Sequence, residues 1–325
     1  MLGFLSPYRQ VRRNERQVDP MSSFKEVSGV LPVLQTPFNS ENEIDEATLE
    51  REVRWILEQG ADGITTGMVS EILKLSPSER MNLHEIVSGI TNENEALTVF
   101  SAGSESTKQS ILYTKHAEEC RADAVMVNPP LTTSLGDEDL YRHYASILDS
   151  TEIPLIVQDA SGYVGRPLSL DLQVKLFDNY EERVYFKPEA VPIGQRLTIF
   201  MKATSGRARV FEGSGGGALV DTFHRGLVGT MPGADLTWAL VALWKALSVG
   251  DWEQVDLIAG PLANLLSFEH SLDAYLVIEK YLLVKQGIFT NSQLREPVGY
   301  HLDNQTRANV DRLFSLLRDR VLPNT

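Results

Sequence analysis

The chain holds one cysteine, Cys120, in 325 residues. One thiol excludes an intramolecular disulfide and leaves no Cys-based metal site to build. Cys120 ends the helical stretch Ala117-Glu118-Glu119-Cys120-Arg121, where it reads as a small packing residue. Such sparing cysteine use fits a reducing cytoplasm. No apolar run approaches the roughly 18–20 residues that a membrane helix needs. There is no basic surplus either: 30 Lys and Arg face 44 Asp and Glu, a formal net charge of −14. That balance argues against nucleic acid and anionic membrane as partners, because phosphates need cations to neutralise them. It leaves a small anionic substrate open, which needs only local donors. The histidines (His84, His116, His143, His224, His270 and His301) fall on helices or the C-terminal tail. No His/Asp/Glu trio has metal-ligand spacing, so metal catalysis is not expected and no cofactor is called for.

What the chain does have is a recurring pattern. Hydrophobic residues make up 42% and charged residues 23% of an ordinary globular composition. Residues 1–27 are set aside as an extension, flexible by expectation. Arg9, Arg12, Arg13 and Arg16 are interrupted by Glu15 and Asp19, and no apolar signal core appears. A start at Met21 and a mitochondrial presequence are the other readings. From Ser28 onward, short apolar runs alternate with periodic helical stretches. Strands are expected at residues 30–35, irregular because of Pro32, and then at 62–67, 97–100, 124–127, 154–157, 184–186, 209–211 and 227–230. Ser76-Pro77-Ser78-Glu79 has the form of a capping box that opens the second helix. Eight β-then-α units predict a parallel sheet. Spread over residues 28–250, they fit an α/β fold of the (β/α)₈ TIM barrel type. An open doubly wound sheet would carry a Gly-rich phosphate turn after its first strand, and Thr36-Pro37-Phe38-Asn39 is not one. Residues 251–325 show only helical periodicity and are expected to pack on the barrel.

Val184-Tyr185-Phe186-Lys187-Pro188-Glu189 is the stretch that carries chemistry. Three β-prone residues run into a lysine, and the proline ends the strand. A strand-end lysine ordinarily snorkels to water. At the C-terminal mouth of a barrel strand, however, it stands where barrel enzymes keep their active sites. Burial favours a neutral, nucleophilic amine, the requirement for a Schiff-base lysine. The other strand ends supply Thr36, Val69, Ser70, Glu71, Gln158, Asp159, Glu212, Ser214 and Thr230. Glu189 lies on the Lys187 side of the pleat if the strand persists past Pro188. Glu212 is the second carboxylate in reach. Gln158 can orient a substrate but cannot exchange a proton. Glu71 is also placed to cap the helix that follows.

Leu34-Gln35-Thr36-Pro37-Phe38, Gly60-Ala61-Asp62-Gly63 and Gly67-Met68-Val69-Ser70-Glu71 followed by Leu75-Ser76-Pro77-Ser78-Glu79-Arg80 stand in a telling order. Ala102-Gly103-Ser104, Ala122 to Pro130 and Lys187 come after them. In this order and spacing the chain resembles the dihydrodipicolinate synthase / N-acetylneuraminate lyase family of class I Schiff-base lyases, over residues 28–320. The resemblance implies Lys187 as the imine former, a 2-keto acid such as pyruvate as substrate, and a homotetramer. The chain departs from the family at positions that matter. Met68, Val69 and Ser70 replace the T-T-G of G-T-T-G-E. Gln158 stands where the acid/base tyrosine would fall, Tyr163 where an arginine would, and Leu131 where a tyrosine is lent between subunits. The short blocks Ile156 to Ala160 and Tyr185 to Glu189 are most similar to the L-2-keto-3-deoxyarabonate dehydratase-like branch.

The expected mechanism follows from the imine. Lys187 condenses with C2 of the keto acid, C3 becomes acidic, and a hydroxyl leaves from C4. Ser70 and the backbone N–H groups near Val69 to Glu71 are the candidates for holding the carboxylate. Glu189 and Glu212 are the candidate proton shuttles, and Thr36, Asp159, Ser214 and Thr230 complete the expected site. A pyruvate-dependent aldolase or synthase is the alternative enzyme. A non-catalytic sugar-acid-binding barrel is the alternative of another class.

Overall fold

The computed structural model describes residues 25–322 apart from Tyr163 and Gly165. The extension up to residue 24, and Tyr163 with its proposed place in the family pattern, lie outside the described residues. Eight parallel strands run β1 (Gly29–Val30), β2 (Gly63–Thr65), β3 (Leu97–Ser101), β4 (Ala124–Val127), β5 (Leu155–Gln158), β6 (Val184–Lys187), β7 (Val210–Glu212) and β8 (Leu227–Thr230). Each is followed by a helix: α1 (Glu46–Glu58), α2 (Pro77–Glu93), α3 (Thr107–Glu119), α4 (Asp137–Leu148), α5 (Leu170–Tyr180), α6 (Ile193–Ala203), α7 (Leu219–Thr222) and α8 (Thr237–Val249). The strands pair in sequence order, and β1 pairs with β8. Beyond β1 the chain bonds to β2 as well, through Leu34 N to Thr65 O at 3.0 Å and Thr65 N to Pro32 O at 2.8 Å. The sheet therefore closes into the expected (β/α)₈ barrel.

β1 is only two residues long, followed by isolated bridges from Val33 to Thr65 and to Gly233. Pro32 has no N–H for the ladder, as the sequence implies. The seventh helix is a single turn, Leu219–Thr222. α7 has four residues, because Gly215 and Gly216 sit at positive φ and hold residues 213–217 as a loop. Ser76 does open α2: its hydroxyl accepts from Glu79 N at 3.3 Å, and Glu79 Oε2 accepts from Ser76 N at 2.7 Å.

The continuous apolar strands resolve into alternating faces. On β5, Leu155 and Val157 face the helices while Ile156 joins the barrel interior. On β6, Val184 and Phe186 face out and Tyr185 faces in. The next inward position on β5 is Gln158, and on β6 it is Lys187. The period-2 pleat thus aims both side chains up the inside of the barrel, and the register pairs Gln158 with Lys187.

Three helices follow the barrel: α9 (Trp252–Leu266), α10 (Leu272–Lys285) and α11 (Asn304–Val321). α9 and α11 pack with α8 in an outer cluster that includes Trp238 and Phe314. α10 behaves differently. Its Tyr275 and Leu276 pack with the barrel's interior residues, so it crosses the C-terminal mouth. Lys280, fully buried on α10, puts its Nζ 2.5 Å from Glu71 Oε1 and 2.9 Å from Gln293 O. Removing one partner of a buried pair strands the other charge, at about 3–5 kcal/mol. Lys280→Met is therefore expected to lose that much in chemical denaturation, and Lys280→Met with Glu71→Leu to recover part of it.

Candidate active site

Lys187 ends β6 with 3% of its surface exposed. Its Nζ donates to Glu189 Oε1 at 3.0 Å. Gln158 Nε2 donates to the same oxygen at 2.7 Å. The strand ends before Pro188, yet Glu189 still returns to the Lys187 side. Its backbone causes this: Glu189 N and Ala190 N are caught by the two oxygens of Asp159, at 3.0 and 3.3 Å. Asp159 Oδ1 also accepts from Ser161 N and Oγ, at 3.0 and 2.9 Å. Asp159 is thus a staple between the loops after β5 and β6, with its acceptors spent on them. Burial pushes the Glu189 carboxyl above the usual carboxylate range; Lys187 and Gln158 pull the other way, and the Asp159 charge adds to the rise. Glu189 Oε2 has no hydrogen-bond partner among the described residues.

Gly213 forms the opposite wall. A Cβ there would come within 2.9 Å of Lys187 Cγ and Cε and 3.1 Å of Glu189 Cγ. Gly213→Ala must displace the lysine stem, and misplacing a reacting group by about 1 Å can cost 10²-fold. The variant is expected to fold normally and lose roughly that factor in turnover, measured alongside its melting temperature.

The other strand-end residues are turned inward on the scaffold. Glu212 Oε1 accepts from Ser214 N at 2.8 Å and from Ser214 Oγ. Its Oε2 accepts from Gly216 N at 3.1 Å and Thr230 Oγ1 at 2.8 Å. Glu212, Ser214 and Thr230 thereby hold the loop after β7 against β8. Thr36 Oγ1 donates to Ser70 O at 2.5 Å. The Ser70 hydroxyl donates to Leu34 O at 2.6 Å and accepts from Gly67 N at 3.0 Å, so its hydrogen is already committed. Glu71 does not cap α2, since Ser76 does; it takes Lys280 on one oxygen and Arg295 N, at 2.9 Å, on the other. In the single 3₁₀ turn Met68–Ser70, the amides of Ser70 and Glu71 bond back to Gly67 O and Met68 O. The turn does not use the amides of Met68 and Val69 itself.

A narrow cavity lies over Lys187 and Gln158, lined also by Val69 and the thioethers Met68, Met126 and Met231. α10 contributes Tyr275 and Glu279 to the same cavity. These two were not among the sequence candidates. Their signal is present in Tyr275-Leu276-Val277-Ile278-Glu279-Lys280, where a glutamate and a lysine interrupt an apolar helix and Tyr275 and Glu279 share one face. Among the described residues, no group of three or more His, Cys, Asp and Glu could hold a metal ion. No described helix is long and apolar enough to cross a membrane.

Comparison with known proteins adds a frame to this geometry. The sequence model of the Dihydrodipicolinate synthetase family matches residues 26–316. An uncharacterised DapA-like lyase of Thermococcus onnurineus (strain NA1) is 28% identical over 83% of this chain and 92% of its own length. A 4-hydroxy-tetrahydrodipicolinate synthase of Acidiphilium cryptum (strain JF-5) is 34% identical over 40% of this chain and 44% of its own. The chain spans about half the length of the synthases that head its curated relatives. Among solved structures, the synthase of Methylacidiphilum fumariolicum SolV superposes with a TM-score of 0.82 at 24% identity, covering 92% of this chain and 98% of that one. The sialic acid aldolase of Ruminococcus gnavus gives 0.78 at 18%, over 90% and 97%. At these identities the structures speak for the fold.

Proposed function

The chain belongs to the Dihydrodipicolinate synthetase family, a family of class I lyases and aldolases, and we propose that it dehydrates a 2-keto-3-deoxy sugar acid through an imine on Lys187. One observation carries this reading: Lys187 and Gln158 converge on a single oxygen of the buried Glu189. In the family's common pattern a tyrosine serves proton transfer at the position of Gln158. Here a carboxyl group, hydrogen-bonded to the lysine itself, takes that place.

Lys187 attacks C2 of the keto acid, and the carbonyl oxygen leaves as water. The substrate carboxylate lies at the Met68 and Val69 amides. The protonated imine draws electrons from C3, and Glu189 removes a C3 proton to give the enamine. The enamine nitrogen then pushes its pair back through C2 and C3, and the C4–O bond breaks. A second water molecule releases the product and restores the amine. No metal or cofactor is needed, since the imine itself is the electron sink. Gln158 orients Glu189, while Asp159 and Glu212 position the loops.

The test is direct. Protein incubated with pyruvate or a 2-keto-3-deoxy acid and then reduced with borohydride should gain one adduct mass on Lys187. Turnover should yield a 3,4-unsaturated 2-keto acid, which loses a proton from C5 and regains one at C3 to become a 2,5-dicarbonyl acid, a 2-oxo semialdehyde when the substrate has five carbons. Release of pyruvate instead would assign aldol cleavage, and absence of an adduct would overturn the imine. We place the enzyme in the cytoplasm and infer a homotetramer. Exposed Val191 and Ile199 at α6 supply apolar surface for subunit contact; sedimentation of the intact chain reads the assembly.

A further inference from the structure

Dehydration needs a proton for the departing hydroxyl. Glu189, once it holds the C3 proton, and the Tyr275 hydroxyl in the same cavity are the rival donors; Gln158 cannot supply a proton, and the Ser70 hydroxyl is committed to Leu34 O. We propose that Glu279, on the helix crossing the barrel mouth, is the acid that protonates the leaving hydroxyl of the Lys187-bound substrate. This inference rests on the dehydratase reading above.

The geometry supports it from several sides. Glu279 lines the cavity that Lys187 and Gln158 line, but from α10. One of its oxygens takes a hydrogen bond from Gln35 Nε2, which fixes the carboxyl. The other lies over Gly233, beyond the end of β8. A Cβ at Gly233 would fall 2.1 Å from Glu279 Oε1 and 3.1 Å from Asp235 Oδ1, so glycine there makes the room this carboxyl occupies. A substrate fixed to Lys187 on β6 would extend from the Glu189 side toward this second carboxyl.

The surroundings keep a proton on it. Glu52 from α1, Asp235 after β8 and Glu269 before α10 are all buried near Glu279. Each has one oxygen without a hydrogen-bond partner among the described residues. Lys280, next to Glu279 in sequence, gives its Nζ to Glu71 and Gln293 O. Ionising all four carboxyls here would leave buried charge uncompensated. Burial first, then repulsion from Asp235, Glu269 and Glu52, holds the Glu279 carboxyl well above the usual range. Asp235 is itself pushed up to about 7, by burial. The step balances: the enamine pair moves to C3–C4, the C4–O bond breaks, the oxygen takes the Glu279 proton and leaves as water. A conjugated iminium and a Glu279 carboxylate remain, and solvent reprotonates the carboxylate before the next cycle.

Glu279→Gln keeps the shape and removes the proton. Borohydride trapping of pyruvate should match wild type, while turnover of the hydroxy acid falls about 10²–10⁴-fold, the range for general acid catalysis. A 4-fluoro analogue loses fluoride without a proton donor, so its turnover should be largely spared. Wild-type turnover of the hydroxy acid, or equal losses with both substrates, would overturn the proposal, as would this same pattern appearing in Tyr275→Phe instead. Loss of the wild-type adduct itself would count against the Lys187 reading and not specifically against Glu279. Asp235→Asn serves as the second variant. With the Asp235 charge gone, Glu279 holds its proton less tightly, and the alkaline limb of kcat should move to lower pH with trapping unchanged. An unmoved limb overturns the assignment.

Discussion

Lys187→Ala is expected to abolish the borohydride adduct and to lower turnover by roughly 10⁶-fold, the scale seen when a covalent nucleophile is removed. The variant should stay folded. Without Lys187, Glu189 loses the neighbour that pulls its proton affinity down, and burial keeps the carboxyl neutral in place. The control is the other buried lysine. Lys280 is as buried as Lys187 and also pairs with a glutamate. Its Nζ, however, is also bound to Gln293 O and stacks 4.5 Å from the Phe38 ring centroid. Lys280→Met should therefore retain an adduct that maps to Lys187. An adduct surviving in Lys187→Ala would move the chemistry to another amine.

The contrast between the two lysines shows what the sequence could and could not reveal. Lys187 was legible because a strand period and a count of βα units both put it at the inner mouth. Glu189 was legible as a neighbour, but its orientation depends on Asp159 catching two backbone amides after Pro188. That bond joins residues 30 positions apart, and no periodicity encodes it. The strand-end hydroxyls illustrate the opposite failure. Thr36, Ser70, Ser214 and Thr230 sit at the right height in the barrel, yet each spends its hydrogen on backbone or on Glu212. Position along a strand says that a polar group is near the mouth, but only the neighbouring loops decide whether it faces the substrate. Glu279 was missed for a related reason. The C-terminal helices read as outer packing, and nothing local says that α10 folds back over the barrel. The charges inside its apolar run were the available sign.

Glu189→Gln tests the acid–base half of the mechanism. The amide keeps the size of the side chain, and its oxygen can still accept from Lys187 Nζ and Gln158 Nε2, which now meet Oε1 at 3.0 and 2.7 Å. It cannot carry a proton between C3 and solvent. Imine formation should slow but reach completion, so the borohydride adduct accumulates on a longer incubation. Exchange of the pyruvate methyl protons into deuterated water should fall about 10²–10⁴-fold, and turnover with it. Glu189→Ala should behave differently. It removes the acceptor as well and leaves the Lys187 cation buried and unpaired, at about 3–5 kcal/mol of stability for a broken buried pair. Lys187 still attacks C2, but no group at the Glu189 position is left to take the C3 proton. Glu189→Ala should thus trap pyruvate readily and still fail to exchange its protons. If both variants exchanged at the wild-type rate, Glu189 would be a counter-charge for the lysine, and the C3 base would have to be sought on the α10 side of the cavity.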